Sequence, residues 1–122
     1  ELSYYEDCKF YDMLSKLHKG VGGDGANLKK FCHSVIFRIL EYDTEHKTEY
    51  LKTLWVYINN GKNSLKTSQK MHIHKNTVIY RIQKLQEYFS VDLSDDSLIF
   101  KLYYSYIIHS YLNDPKGLVE NN

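Results

Sequence analysis

Residues 62–84 read KNSLKTSQKMHIHKNTVIYRIQK, and the fold follows from how this stretch is divided. Residues 64–71 suit a short helix, with Asn63 or Ser64 able to accept hydrogen bonds from its first amides. A longer helix is expected over 75–89, where Val78, Ile82, Leu85 and Phe89 recur at helical spacing along one side. Met71 and Ile73 flank the turn between the two, and Ser68 is small enough to sit where they cross. His72 stands at the turn position where glycine is commoner, and a left-handed conformation there costs more with a side chain than without one. If Val78 and Ile82 face inward, the step of about 100° per residue turns Lys75, Asn76, Ile79, Tyr80 and Gln83 outward, with His74 and Thr77 at the helix start. Two helices so joined form a helix-turn-helix centred on about 63–89, whose second helix is built to enter a major groove.

Charge supports that assignment. The 122-residue chain has a net charge of only +1, yet residues 62–84 hold six Lys and Arg and no Asp or Glu, which leaves −5 for the remainder. A positive excess gathered in one segment approaches a polyanion with that segment. Lys75 can pair with a phosphate or a guanine edge, and Asn76 can read adenine bidentately. Thr77 and Tyr80 carry hydroxyls that suit phosphates or bases. Lys62, Lys66, Lys70 and Lys84 are placed to add backbone charge.

Each of these residues also has a plainer role open to it. His74 can cap the helix, Asn76 can bond locally, and Tyr80 can pack on its neighbours. Arg81, at the edge of the outward arc, can tie helices together through a carboxylate instead of meeting DNA. His72 and His74 form a His-x-His pair, but their sides differ on a turn and no third ligand lies at a useful spacing, so no metal is expected.

Working outward, the periodicity is helical throughout. Phe10, Met13, Leu14 and Leu17 make one pattern, followed by a loop holding Gly20, Gly22, Gly23 and Gly25. That loop lacks the Gly-Lys-Ser/Thr ending of a phosphate-binding loop. Phe31, Val35 and Ile39 make one row and Cys32, Ile36 and Leu40 the next. Leu51, Leu54, Trp55 and Ile58 form another helix, which Asn60 and Gly61 are expected to stop by adopting the left-handed conformation. After an acidic loop at 90–97, Asp95 or Asp96 can cap a last helix with rows Leu98–Leu102–Tyr106 and Ile99–Tyr103–Ile107. The fold expected is all-α: a helical bundle of about six helices. Residues 1–43 would be N-terminal helices and a glycine-rich linker, 44–112 the DNA-binding domain, and 113–122 a flexible tail.

Other function classes find little support. No Ser/His/Asp set, carboxylate pair or metal cluster suggests an enzyme, and no cofactor is expected. No apolar run is long enough for a bilayer, and no secretory leader is visible. Cys8 and Cys32 make no disulfide framework and fit reduced, partly buried thiols in the cytoplasm. The chain begins at Glu1 rather than Met, which suggests a piece of a longer protein. Tyr103, Tyr104, Tyr106 and Tyr111 on the last helix suit a packed interface, so a homodimer is expected.

The run SQKMHIHKNTVIYRI at 68–82 resembles the C-terminal helix-turn-helix of the PucR/CdaR family of bacterial transcription regulators. The identities fall at His74, Lys75, Asn76, Thr77, Val78, Tyr80, Arg81 and Ile82. LEYD at 40–43 and LKTL at 51–54 look like that family's lead-in, and the likeness extends over about residues 5–112. Ser68 replaces the usual alanine, and Ile79 stands where polar or basic residues are common. The helix-turn-helix is also similar to that of Fis-type proteins, which bind as dimers.

The resemblance implies a cytoplasmic regulator of catabolic genes that binds double-stranded DNA in a sequence-specific way. It implies contacts from His74, Lys75, Asn76, Thr77, Tyr80 and Arg81; at Ile79 one contact is lost or becomes a thymine-methyl contact, and Lys66 and Lys84 add charge beside them. It places any effector on a sensor domain outside this chain. The competing readings are a low-specificity nucleoid-type DNA-binding protein and a helical dimerisation or interaction module.

Overall fold

The computed structural model describes residue 13 and residues 32–113. The expected first helix and glycine loop, apart from Met13, lie outside them, as does the tail beyond Asn113. Five helices follow in order: α1 (Ser34–His46), α2 (Tyr50–Asn59), α3 (Ser64–Met71), α4 (Lys75–Phe89) and α5 (Asp96–Asn113). Among the described residues there is no strand, so the all-α class holds.

Each helix starts where a side chain satisfies its open amides. His33 precedes α1, and its ring Nδ1 accepts from the amide of Val35 at 3.2 Å. Cys32 and His33 thus lie before the helix, although Cys32 falls in one of its apolar rows. Asn63 caps α3 by accepting from the amide of Lys66 at 2.9 Å. His74 caps α4 through Nδ1, which accepts from the amide of Asn76 at 3.0 Å. Asp95 Oδ1 accepts from the amides of Ser97 and Leu98 at 3.0 and 3.3 Å, so Asp95 rather than Asp96 caps α5.

The start of α2 is different. Glu49 stands at its cap position and makes no side-chain cap bond. Asp43 of α1 takes that role from the preceding helix, accepting from the amides of Tyr50 and Leu51 with its two oxygens, each at 2.9 Å. The Thr48 hydroxyl donates to the same carboxylate. A carboxylate at a helix N-terminus also meets the positive end of the helix dipole. α1 itself closes at Lys47, which adopts φ 55°, with its amide donating to the Asp43 carbonyl.

The end of α2 departs from expectation in one detail. Asn60 has φ −110° and is not left-handed; Gly61 (φ 66°) and Lys62 (φ 58°) are. Asn60 closes the helix another way, donating from Nδ2 to the Val56 carbonyl at 2.7 Å. The Lys62 amide donates to Tyr57 at 2.9 Å to complete the turn.

One core joins four of the helices. Val35, Ile36 and Ile39 of α1 meet Tyr50, Leu51 and Leu54 of α2, with the row Val78, Ile82, Leu85 and Phe89 of α4 and Leu102 of α5. Each such side chain taken from water contributes about 1.5–3 kcal/mol. α1 runs across residue 43, and its inward face belongs to this core. A second cluster forms around Ile107, Ile108 and Tyr111. Trp55 stacks on Tyr106 beside it, with centroids 4.1 Å apart and planes 9° from parallel. In α5 the buried positions are Leu102, Ser105, Ile107, Ile108 and Tyr111, so the burial is not confined to the two expected rows. Buried Ser105 accepts from the His33 amide at 2.7 Å, tying the start of α1 to α5.

Candidate nucleic-acid interface

α3 and α4 meet as the spacing predicts. Ser68 and Thr67 are buried at the crossing, and their hydroxyls donate back to the Leu65 and Asn63 carbonyls, so neither burial leaves a polar group unsatisfied. His72 adopts φ 56°, and the amides of His72 and Ile73 both donate to the Ser68 carbonyl. This left-handed turn swings the chain from α3 into α4 within His72, Ile73 and the cap His74. With Val78 and Ile82 sealed inside, Lys75, Asn76, Ile79, Tyr80 and Gln83 are exposed on the opposite arc. Ile79 is 36% and Tyr80 54% exposed, open enough for apolar or hydroxyl contact. Thr77 is half-buried at the arc's edge.

The remaining site residues divide by what already holds them. His74 uses Nδ1 as an acceptor, which in the neutral ring leaves the proton on Nε2 as a donor. Arg81 turns toward α2: its Nη1 donates to Thr53 Oγ1 at 3.1 Å and lies 3.9 Å from Glu49 Oε1. Lys84 lies 3.4 Å from Glu87, with its ammonium 5.7 and 5.9 Å from the ring centres of Tyr80 and Tyr88. The Glu87 carboxylate raises the Lys84 pKa, which keeps the charge in place. Lys66 and Lys70 are exposed on α3. Lys62 is drawn away, donating to the Leu93 carbonyl at 3.3 Å.

A cleft of about 310 Å³ opens beside this arc, with Lys47, Thr48, Glu49 and Tyr50 on one wall and Thr77, Tyr80 and Arg81 on the other. Its first wall escaped the sequence reading, because the α1–α2 turn lies far along the chain from α4. Among the described residues no group of three or more His, Cys, Asp or Glu could hold a metal ion. No helix among them is long and apolar enough to cross a membrane.

Residues 50–108 match the family profile of the PucR C-terminal helix-turn-helix domain. This segment is a PucR helix-turn-helix. It is the DNA-binding domain of a transcription regulator. The chain is 43% identical over 53 residues to the proline-responsive transcriptional activator PutR of Bacillus subtilis (strain 168), a match covering 43% of this chain and 13% of that protein. It is 33% identical over 76 residues to the purine catabolism regulatory protein of the same organism, covering 62% and 14%. It is 26% identical over 103 residues to the DNA-binding transcriptional activator AdeR, also from that organism, covering 84% and 22%. The chain thus spans less than a quarter of the length of these relatives. No solved structure matches it. The PucR segment takes in α2, α3, α4 and most of α5, while α1 packs against it from outside the matched residues.

Proposed function

We propose that this PucR domain binds double-stranded DNA sequence-specifically, with α4 in the major groove. The observation that carries this reading is the two-sidedness of α4: Val78, Ile82, Leu85 and Phe89 are buried while Lys75, Asn76, Ile79 and Tyr80 are exposed. Asn76 reads a base edge, and Ile79 packs on a thymine methyl. Lys75, Thr77, Tyr80 and the Nε2 proton of His74 meet bases or phosphates. Lys66 adds sequence-independent charge. Arg81 and Lys84 act by holding α4 and Tyr80 in place as well as by their charge.

The domain acts by binding rather than by catalysis, as the regulatory relatives suggest. We take it to work in the cytoplasm as a homodimer, with the effector bound by a domain outside this chain. Phe100, 66% exposed on α5 and edge-on to Tyr104, supports a partner surface there. A sedimentation experiment showing a monomer at tens of micromolar would remove the dimer.

The DNA reading is tested by binding to a pool of randomised duplexes, followed by selection. Wild-type protein should enrich a defined site, and Asn76→Ala should relax it at one position, while Lys66→Ala weakens all sequences alike. Binding with no enrichment would leave a low-specificity architectural protein; no binding at low salt, with the helices intact, would overturn the reading.

A further inference from the structure

The cleft between the α1–α2 turn and the flank of α4 is continuous with the exposed arc of that helix. Moving around α4 from the exposed arc, helical steps bring Asn76, then Tyr80, then Thr77, then Arg81. Tyr80 belongs to both the arc and the cleft. A helix with its side chains is about 10–12 Å across, and the major groove is about 12 Å wide, so the flanks of a seated helix lie against the sugar-phosphate edges. With Asn76 toward the bases, the flank carrying Thr77 and Tyr80 faces one such edge.

We propose that this cleft seats a DNA backbone phosphate, with Lys47 as the anchoring cation and the Thr77 and Tyr80 hydroxyls as neutral donors. The proposal rests on the DNA-binding reading above, and it extends the interface to a turn that lies outside both the helix-turn-helix and the matched segment.

Lys47 is suited to the role by where its backbone is fixed. It is exposed, held at φ 55° and ψ 46° by the hydrogen bond its amide donates to the Asp43 carbonyl, and its ammonium makes no ion pair among the described residues. The charged residues that line the cleft are Lys47 and Arg81 against Glu49, with Asp43 just behind the turn. The Asp43 carboxylate is committed to the amides of α2 and to Thr48. Glu49 is the opposing charge: it lies 3.9 Å from both Arg81 and Lys52 and is itself half-exposed. The lining therefore carries two cations and one carboxylate, which sets opposite signs for substitutions at Lys47 and Glu49.

The experiment measures affinity of the full 122-residue chain for one fluorescent mixed-sequence duplex across a salt series. Lys47→Asn removes the charge and keeps a residue that tolerates the left-handed backbone. It should bind more weakly and lower the magnitude of the log K against log salt slope by about 0.9, one phosphate contact. Glu49→Gln should bind several-fold tighter. Lys101→Ala, an exposed cation on α5, serves as the control for charge lost elsewhere, and melting curves confirm that all variants fold. A slope for Lys47→Asn equal to that of wild type or of the control, or a Glu49→Gln protein that binds no tighter, overturns the phosphate site while leaving the DNA reading intact. Wild-type protein that binds no duplex at low salt overturns both.

Discussion

The guanidinium of Arg81 donates from Nη1 to the hydroxyl of Thr53, 3.1 Å away on α2, and Thr53 has no solvent exposure. The same hydroxyl donates to the Glu49 carbonyl at 2.8 Å, so one buried oxygen joins the backbone of α2 to α4. Thr53→Val keeps the shape and removes the acceptor. It should lower unfolding free energy by about 1.5–3 kcal/mol, the usual range for a hydrogen bond to a charged group. Urea denaturation checks this, and an unchanged midpoint would show that Arg81 is held by something else.

Asp43 ends one helix and begins the next. Asp43→Ala leaves the amides of Tyr50 and Leu51 without their acceptors and should cost about 1–2 kcal/mol, the loss expected of a strong N-cap. Asp43→Asn should recover part of this, since one amide oxygen remains. Thermal melts of the three proteins rank them.

His72 predicts the reverse of the usual glycine effect. At φ 56° its side chain carries a penalty that glycine does not. The greater freedom of glycine in the unfolded chain offsets some of the gain. His72→Gly should still stabilise, by roughly 0.5–1 kcal/mol. A lower urea midpoint would mean that the imidazole makes a stabilising contact larger than the backbone strain.

At His74 the capping and DNA-contact roles can be separated. His74→Ala removes the acceptor for the Asn76 amide and should cost about 1 kcal/mol. His74→Asp replaces the cap and should hold the melting temperature, while its negative charge repels phosphate and weakens duplex binding. An aspartate variant with undiminished affinity would confine His74 to capping.

Alkaline pH should also weaken the fold. Burial raises the pKa of Tyr50, with Tyr42 adding to it, and burial raises that of Tyr106. The unfolded chain then ionises first, so this part of the stability is intact below about pH 10 and is lost as pH rises beyond it. Melting temperatures followed from pH 8 to pH 11 should fall, and less steeply in Tyr106→Phe.

Much of this is legible in the sequence where neighbours along the chain decide the outcome. The α4 row at Val78, Ile82, Leu85 and Phe89 shows its inward face directly, and the bounds of α3 and α4 follow from capping residues and the turn. What escapes is contact across long separations. Nothing local says that Asp43 caps a helix seven residues on, that Arg81 finds Thr53 across 28 residues, or that Lys47 and Tyr80 line one cleft. α5 misleads for a related reason: it is apolar on several sides, so periodicity cannot say which residues meet α1 and which meet Trp55.

For anyone fusing this module to a sensor domain, the seam belongs upstream of His33. A fusion joined at residue 50 would strip away Val35, Ile36 and Ile39 and leave their sockets on α2 and α4 open to water. Such a chimera would be expected to clump in the cell, whatever signal it was wired to receive.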